Sequence, residues 1–215
     1  MREWLGERVF NQLRSTEYTL TNRTWESSLG IDRHDIDDDR LNMYGPVAEQ
    51  LGMEAKHHPD ELLLELLVAA ESTVGWDDQF FFDTDHSWGD SGTQSNDLSY
   101  TPAAGSGNAI VSIDFKTAYN NARRALATYK NDRGKLMNRT LQGSQAGLLV
   151  LVPPDLDQVA VDALITTSYM HAANLGGDNI VLDAPRLKVV NGLTNARKFF
   201  VINQKTPLRP FVFQD

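Results

Sequence analysis

The chain has 215 residues, long enough for one sizeable core or two small ones, and its 41% hydrophobic and 23% charged content is ordinary for a globular protein. It contains no cysteine, which excludes disulfides and thiolate metal sites, and no apolar run of about 18 residues that would predict a membrane span. The net charge of −9 is unevenly spread: residues 1–114 carry 22 acids and 7 bases, whereas residues 115–215 carry 7 acids and 13 bases.

The N-terminus, from Met1 to Arg8, is too charged for a secretory signal. Residues 9–36 read as extended, because Val9-Phe10, Tyr18-Thr19-Leu20-Thr21 and Thr24-Trp25-Glu26 are aromatic and β-branched with rough alternation, and Asn22-Arg23 marks a bend. Such a two-stranded ribbon is marginal alone and predicts that it leans on something else. Helical signals start at Tyr44-Gly45-Pro46 and run over 46–72, with an interruption predicted at Pro59. The run from Leu62 to Ala70 is apolar around most of the helix, a pattern of burial on several sides.

Residues 76–109 read as a long loop, of the length that is functional or mobile. Asp114 is the predicted N-cap of a basic amphipathic helix over 115–130. Gly147 to Val152 reads as a buried strand, stopped by Pro153-Pro154, which also open a helix with Val159, Val161, Leu164 and Ile165 on its apolar side. Three further strands are predicted at 187–190, 198–202 and 210–213, with a tight turn at Asn191-Gly192.

The charge is concentrated in blocks. Residues 76–97 hold six aspartates and no Lys or Arg, residues 116–139 hold seven bases and one acid, and residues 186–209 hold six bases and no acid. Such blocks can be solvated faces. The basic half could also bind nucleic acid, although a phosphate-binding surface sits awkwardly beside a strongly acidic one. A third reading is that opposite surfaces of one subunit meet on neighbouring copies, since head-to-tail contacts generate rings or lattices.

Two clusters could carry chemistry. Asp32-Arg33-His34-Asp35-Ile36-Asp37-Asp38-Asp39 offers five carboxylates to a hard cation, but lacks the glycine and distal glutamate of an EF-hand loop, and Arg33 and Arg40 offset part of its charge. An acidic turn that meets basic partners is the stronger reading. Asp83-Thr84-Asp85-His86 could form a metal site or an acid–base pair, but no second ligand stands at the needed spacing, and a structural His–Asp hydrogen bond accounts for it more simply. His57-His58 is discounted likewise. No metalloprotease, nucleophile-elbow, Walker or dinucleotide motif occurs, so no enzyme activity, metal or cofactor is expected.

Trp4-x-Gly6-Glu7-Arg8, Tyr18-x-Leu20-x-Asn22-x-x-Trp25-Glu26 and Ile31-x-Arg33-x-Asp35-Ile36-Asp37-Asp38-Asp39 resemble the Mu-like phage major head subunit family. The resemblance continues through Tyr44-Gly45-Pro46, His58-Pro59-Asp60-Glu61-Leu62, residues 81–86, residues 149–154 and Arg209-Pro210-Phe211, in order along nearly the whole chain. It implies an α+β capsid fold of the Hong Kong 97 type: an extended β-ribbon loop over 1–43, a peripheral domain with spine helix and acidic loop over 44–109, an axial domain over 110–185, and strands over 186–215 that return to the periphery. It further implies a structural subunit that self-assembles as hexamers and pentamers into a shell around DNA.

The implied partners are other copies of itself, with scaffold, head protease and portal proteins; packaged DNA is met only indirectly and no membrane is involved. The implied location is the virion, with assembly in the host cytoplasm. Candidate interface residues are Trp4 and Trp25 as aromatic anchors (or as internal packing), Glu7, Arg8, Glu26 and Arg33 beside them, and Asp35, Asp37, Asp38 and Asp39 facing Arg123 and Arg124 of another copy. An encapsulin-like nanocompartment shares the fold and is the nearest alternative; a metal-dependent hydrolase and a nucleic-acid-binding module are further ones. Against the family pattern an arm before Trp4 and peripheral strands after Gln214 are missing, which implies a fragment, a processed form or a prophage remnant.

Overall fold

The computed structural model describes residues 23–37, 43–75, 77–102, 111–141, 147–165, 168–170, 176–178 and 184–206. The elements are α1 (Arg33–Asp37), α2 (Tyr44–Ala69), α3 (Ser112–Thr128), β1 (Leu148–Val152), α4 (Asp157–Leu164), β2 (Ser168–Met170), β3 (Gly176–Asp178), β4 (Arg186–Val189) and β5 (Phe200–Asn203). The helix and strand content makes an α+β fold.

β1 is the centre of the body. It pairs in parallel with β4 on one side and antiparallel with β5 on the other, giving a three-stranded sheet in the order β4-β1-β5. Its continuous apolar run follows from burial on both faces. Leu148, Val150 and Val152 are fully buried in a core shared with Phe115 and Tyr119 of α3 and with Ala160, Ala163 and Leu164 of α4. On the opposite face Leu151 packs with Phe200, Leu193 and Leu67, and this joins the end of α2 to the sheet. The boundary expected at 185/186 therefore falls inside one continuous sheet. β2 and β3 form a separate hairpin-like pair.

Several expectations need correction. The described part of the predicted ribbon holds no strand: residues 23–32 are irregular and residues 33–37 are helical. The reason is local. Asp32 Oδ1 accepts the His34 backbone N–H at 2.8 Å and the Asp32 carbonyl accepts that of Ile36, so Asp32 caps a helical turn where an acidic turn was expected. α2 runs unbroken through Pro59. The proline costs one backbone bond, and the apolar turns after it are anchored by Leu67 in the core.

α3 starts at Ser112 with Val111 as its N-cap, so Asp114 sits in the first turn instead of capping it. Its buried carboxylate accepts the Tyr100 hydroxyl at 2.9 Å and lies where the helix dipole favours a negative charge. On α4, Ile165 is exposed while Ala160, Ala163 and Leu164 are buried. The Asn191-Gly192 turn exists, but β4 and β5 lie on opposite sides of β1 and do not pair with each other. Gly192 matters for another reason: a Cβ there would come within 2.7 Å of Leu64 Cδ1, so the turn sits directly against α2. The strand expected at 210–213 lies outside the described residues.

The long loop is not loosely held where it is described. Asn96 bridges the Asp83 N–H (2.8 Å) and the Phe81 carbonyl (2.6 Å), and Gln94 both accepts from the Lys130 N–H and donates to its carbonyl. The Tyr129 hydroxyl donates to the Ser95 carbonyl at 2.6 Å. Side-chain amides thus take the part that strand ladders play elsewhere, and they fasten 77–102 to the segment after α3.

Candidate subunit interface

His86 does pair with a carboxylate, but with Asp77 (Nδ1–Oδ2 2.7 Å) and not with Asp83 or Asp85. Its Nε2 faces the Phe81 carbonyl at 3.3 Å, Asp83 Oδ1 accepts the Thr84 N–H, and Asp85 is contacted by Gln79. Both imidazole nitrogens are engaged in holding the loop. Among the described residues no group of three or more His, Asp or Glu side chains is placed to hold a metal ion, and no helix is long and apolar enough to cross a membrane.

A cavity of about 650 Å³ lies between α3, β5 and residues 96–102, walled by Phe82, Leu98, Tyr100, Phe115, Leu126 and Phe199 among others. Its size suits a ligand, but the deeply buried charge on its wall, Asp114, is engaged by Tyr100. Burial pushes the Tyr129 and Tyr119 hydroxyls up to about 12, with Arg123 partly opposing the shift at Tyr119. The Tyr100 hydroxyl is raised as well, first by its hydrogen bond to Asp114. These phenols are held neutral, as packing groups are.

The surface is more informative than any concavity. α2 was expected to be buried on several sides, yet of its 26 residues only Leu67 is buried. Leu63 (42%), Leu66 (48%) and Val68 (54%) are exposed along its second half, and Val47 and Met53 along its first. Trp25 is 54% exposed and rests edge-on against His58 of α2, with ring centroids 4.7 Å apart. It therefore packs internally and still presents an open aromatic face. Glu26, Arg33 and Asp37 are exposed nearby, and Asp35 lies within α1. Trp4, Glu7, Arg8, Asp38 and Asp39 lie outside the described residues. On α3 Arg124 is exposed and Arg123 is half-buried. No ion pair among the described residues joins these arginines to the acidic run.

Sequence reasoning missed a second exposed patch. Lys130 and Leu136 form an isolated bridge that closes a tight hairpin, with Asn131 Oδ1 accepting the Arg133 and Lys135 N–H groups and Gly134 in the left-handed region at φ 66°. At its closing base Leu136 (41%) and Met137 (54%) are exposed, and so are Lys130, Lys135 and Arg139. The signal was present as two apolar residues inside the basic block.

Solved phage capsid structures share this fold. The fold matches a decorated capsid of bacteriophage JBD30 with a TM-score of 0.70 and the JBD30 capsid with 0.67, in both cases at 22% identity over 90% of this chain and 82% of theirs. The family model for the Mu-like prophage major head subunit gpT matches residues 1–118, and the chain belongs to that family. It is 40% identical over 86 residues to the Mu-like prophage FluMu major head subunit of Haemophilus influenzae, and 37% identical over 86 residues to the major capsid protein of Escherichia phage Mu. Each alignment covers 40% of this chain and 28% of the relative. Membership in a structural head-subunit family is what sets the enzyme reading aside.

Proposed function

We propose that the protein is a major head subunit that self-assembles, through hexamers and pentamers, into a phage or prophage shell enclosing DNA. The observation that carries this reading is the apolar face of α2. A leucine-rich helix left open to water is unfavourable by roughly 25 cal/mol for each Å² of apolar surface, and exposed apolar patches of this kind mark surfaces that a partner covers. Family membership supports the identity of that partner as further copies of the chain.

In this reading α2 is the spine of the peripheral domain, and residues up to about 43 reach over a neighbour. Trp25 and Trp4 act as aromatic anchors, supported by Glu7, Arg8, Glu26 and Arg33. The acidic run from Asp35 to Asp39 meets bases such as Arg123 and Arg124 of another copy. Many weak contacts then sum by multivalency, so that each need contribute only a few kcal/mol. The same reading places the protein in the virion, built in the host cytoplasm with scaffold, head protease and portal proteins. Electron microscopy and sedimentation of the purified chain test it directly. Shells, capsomers or larger arrays are expected; a chain that stays monomeric at high concentration and moderate salt overturns it.

A further inference from the structure

Two exposed apolar patches of this chain are rimmed by opposite charge. On α2, Leu62, Leu66 and Ala69 stand at i, i+4 and i+7 and so share one stripe, with Leu63 at its edge. Leu66, Ala69 and Leu63 are exposed and Leu62 is half-exposed. One flank of the stripe is acidic: Glu54, Glu61 and Glu65 follow one another at i, i+7 and i+11, all exposed. The other patch is the base of the hairpin after α3, where Leu136 and Met137 are exposed, as are Lys130, Lys135 and Arg139, with Asp132 the one acid of the segment. The hairpin is held by hydrogen bonds: Asn131 Oδ1 accepts the Arg133 and Lys135 N–H groups, the Met137 N–H donates to the Tyr129 carbonyl, and the Tyr129 hydroxyl donates to the Ser95 carbonyl. An ordered patch loses little conformational freedom on docking.

Neither patch meets the other within one chain. Among the described residues no hydrogen bond or ion pair joins Glu54, Glu61 or Glu65 to Lys130, Lys135 or Arg139, and the ion pair Glu71 with Lys198 lies beyond the end of the stripe. Apolar surface rimmed by one sign of charge favours a partner whose apolar surface is rimmed by the other sign, since mismatched charges would be desolvated without compensation. We propose that the acid-rimmed leucine stripe of α2 in one copy receives the base-rimmed Leu136–Met137 patch of a second copy. The contact is heterologous, so each subunit keeps a free stripe and a free patch and the association propagates into a ring or lattice. This inference rests on the self-association proposed above and names the two surfaces that meet.

The absence of cysteine allows a clean test. Leu66→Cys and Met137→Cys are made in separate full-length chains, mixed and oxidised. A disulfide-linked dimer is expected from the mixture at about tenfold the yield of either variant alone, with the yield falling as salt screens the rim. Leu63→Cys replaces Leu66→Cys if that variant folds poorly by circular dichroism. In parallel, E61K/E65K and K135E/R139E are each expected to weaken association of the chain about tenfold, and their equimolar mixture to recover it in part. If the unmodified chain forms large species but no mixed disulfide appears and both charge reversals leave sedimentation unchanged, the pairing of these two surfaces is overturned while self-assembly stands. If the unmodified chain does not associate at all, both readings fall.

Discussion

β1 and the Leu62–Ala69 stretch of α2 are both rich in leucine, and their environments are opposite. Leu148, Val150 and Val152 are sealed between α3 and α4, while Leu63, Leu66 and Val68 stand largely in water. Composition does not separate the two runs; position does. β1 is the middle strand of a sheet that is covered on both faces, whereas α2 touches the body through Leu67 and the Leu64–Gly192 contact, is overlain by Trp25 at His58, and leaves most of its other residues exposed. Hydrophobic residues in the first run hold the monomer together. In the second they are held in reserve for contact between molecules.

This contrast can be broken or sharpened by measurement. The largest effect is expected in the body: Leu148→Ala should destabilise the monomer by about 3 kcal/mol, through lost burial plus an unfilled cavity, read as a shift of the denaturant midpoint at unchanged slope. A shift under about 1 kcal/mol would mean that the sheet is not the core. Asn138→Ala comes next. Asn138 donates to the Leu126 carbonyl at 2.6 Å and accepts from buried Asn203 at 3.1 Å, so its loss leaves two buried groups unpaired, at a cost of about 1–3 kcal/mol.

The third effect depends on pH. The Tyr119 and Tyr129 hydroxyls are raised from 10.0 to about 12 in the folded chain, so between those values the unfolded chain has already lost protons that the folded chain retains. Stability is therefore level below about pH 10 and falls as pH rises toward about 12. Urea melts in that window should show the decline, and Tyr129→Phe should flatten it. The smallest effect on folding is expected on α2, where Leu66→Ser should change monomer stability by no more than about 0.5 kcal/mol while reducing association in sedimentation. A large loss of monomer stability from Leu66→Ser would contradict the division between the two regions.

Much of the architecture was legible in the sequence because it is written in local patterns. The apolar run before Pro153-Pro154, the basic helix after Val111, and the long helix after Tyr44 all appear close to where periodicity placed them. The family resemblance was legible for a related reason: short ordered motifs of Trp, Gly, Pro and Asp do not depend on packing to be read. What could not be read was partnership. His86 stands next to Asp85 in sequence, yet bonds to Asp77 nine residues away. Asp114 looked like a cap but is a buried acceptor for Tyr100, because the helix begins three residues earlier than its sequence pattern suggested.

The sequence alone determined that the chain has one strongly apolar strand, one long leucine-rich helix and a separation of acidic from basic segments, since these depend only on residue order and spacing. The tertiary structure decided which apolar run is core and which is surface. That choice depends on how many neighbours each element finds in three dimensions: β1 has strands on both sides, α3 and α4 against one face and Leu67 of α2 against the other, whereas α2 meets the body near Leu67 and Trp25 near His58 and leaves much of its surface exposed. It also decided where the basic segment matters, by folding 129–139 into a hairpin that leaves Leu136 and Met137 exposed at its base. Burial is a property of the assembled fold and not of the segment, which is why leucine-rich stretches can serve cohesion within a molecule in one place and recognition between molecules in another.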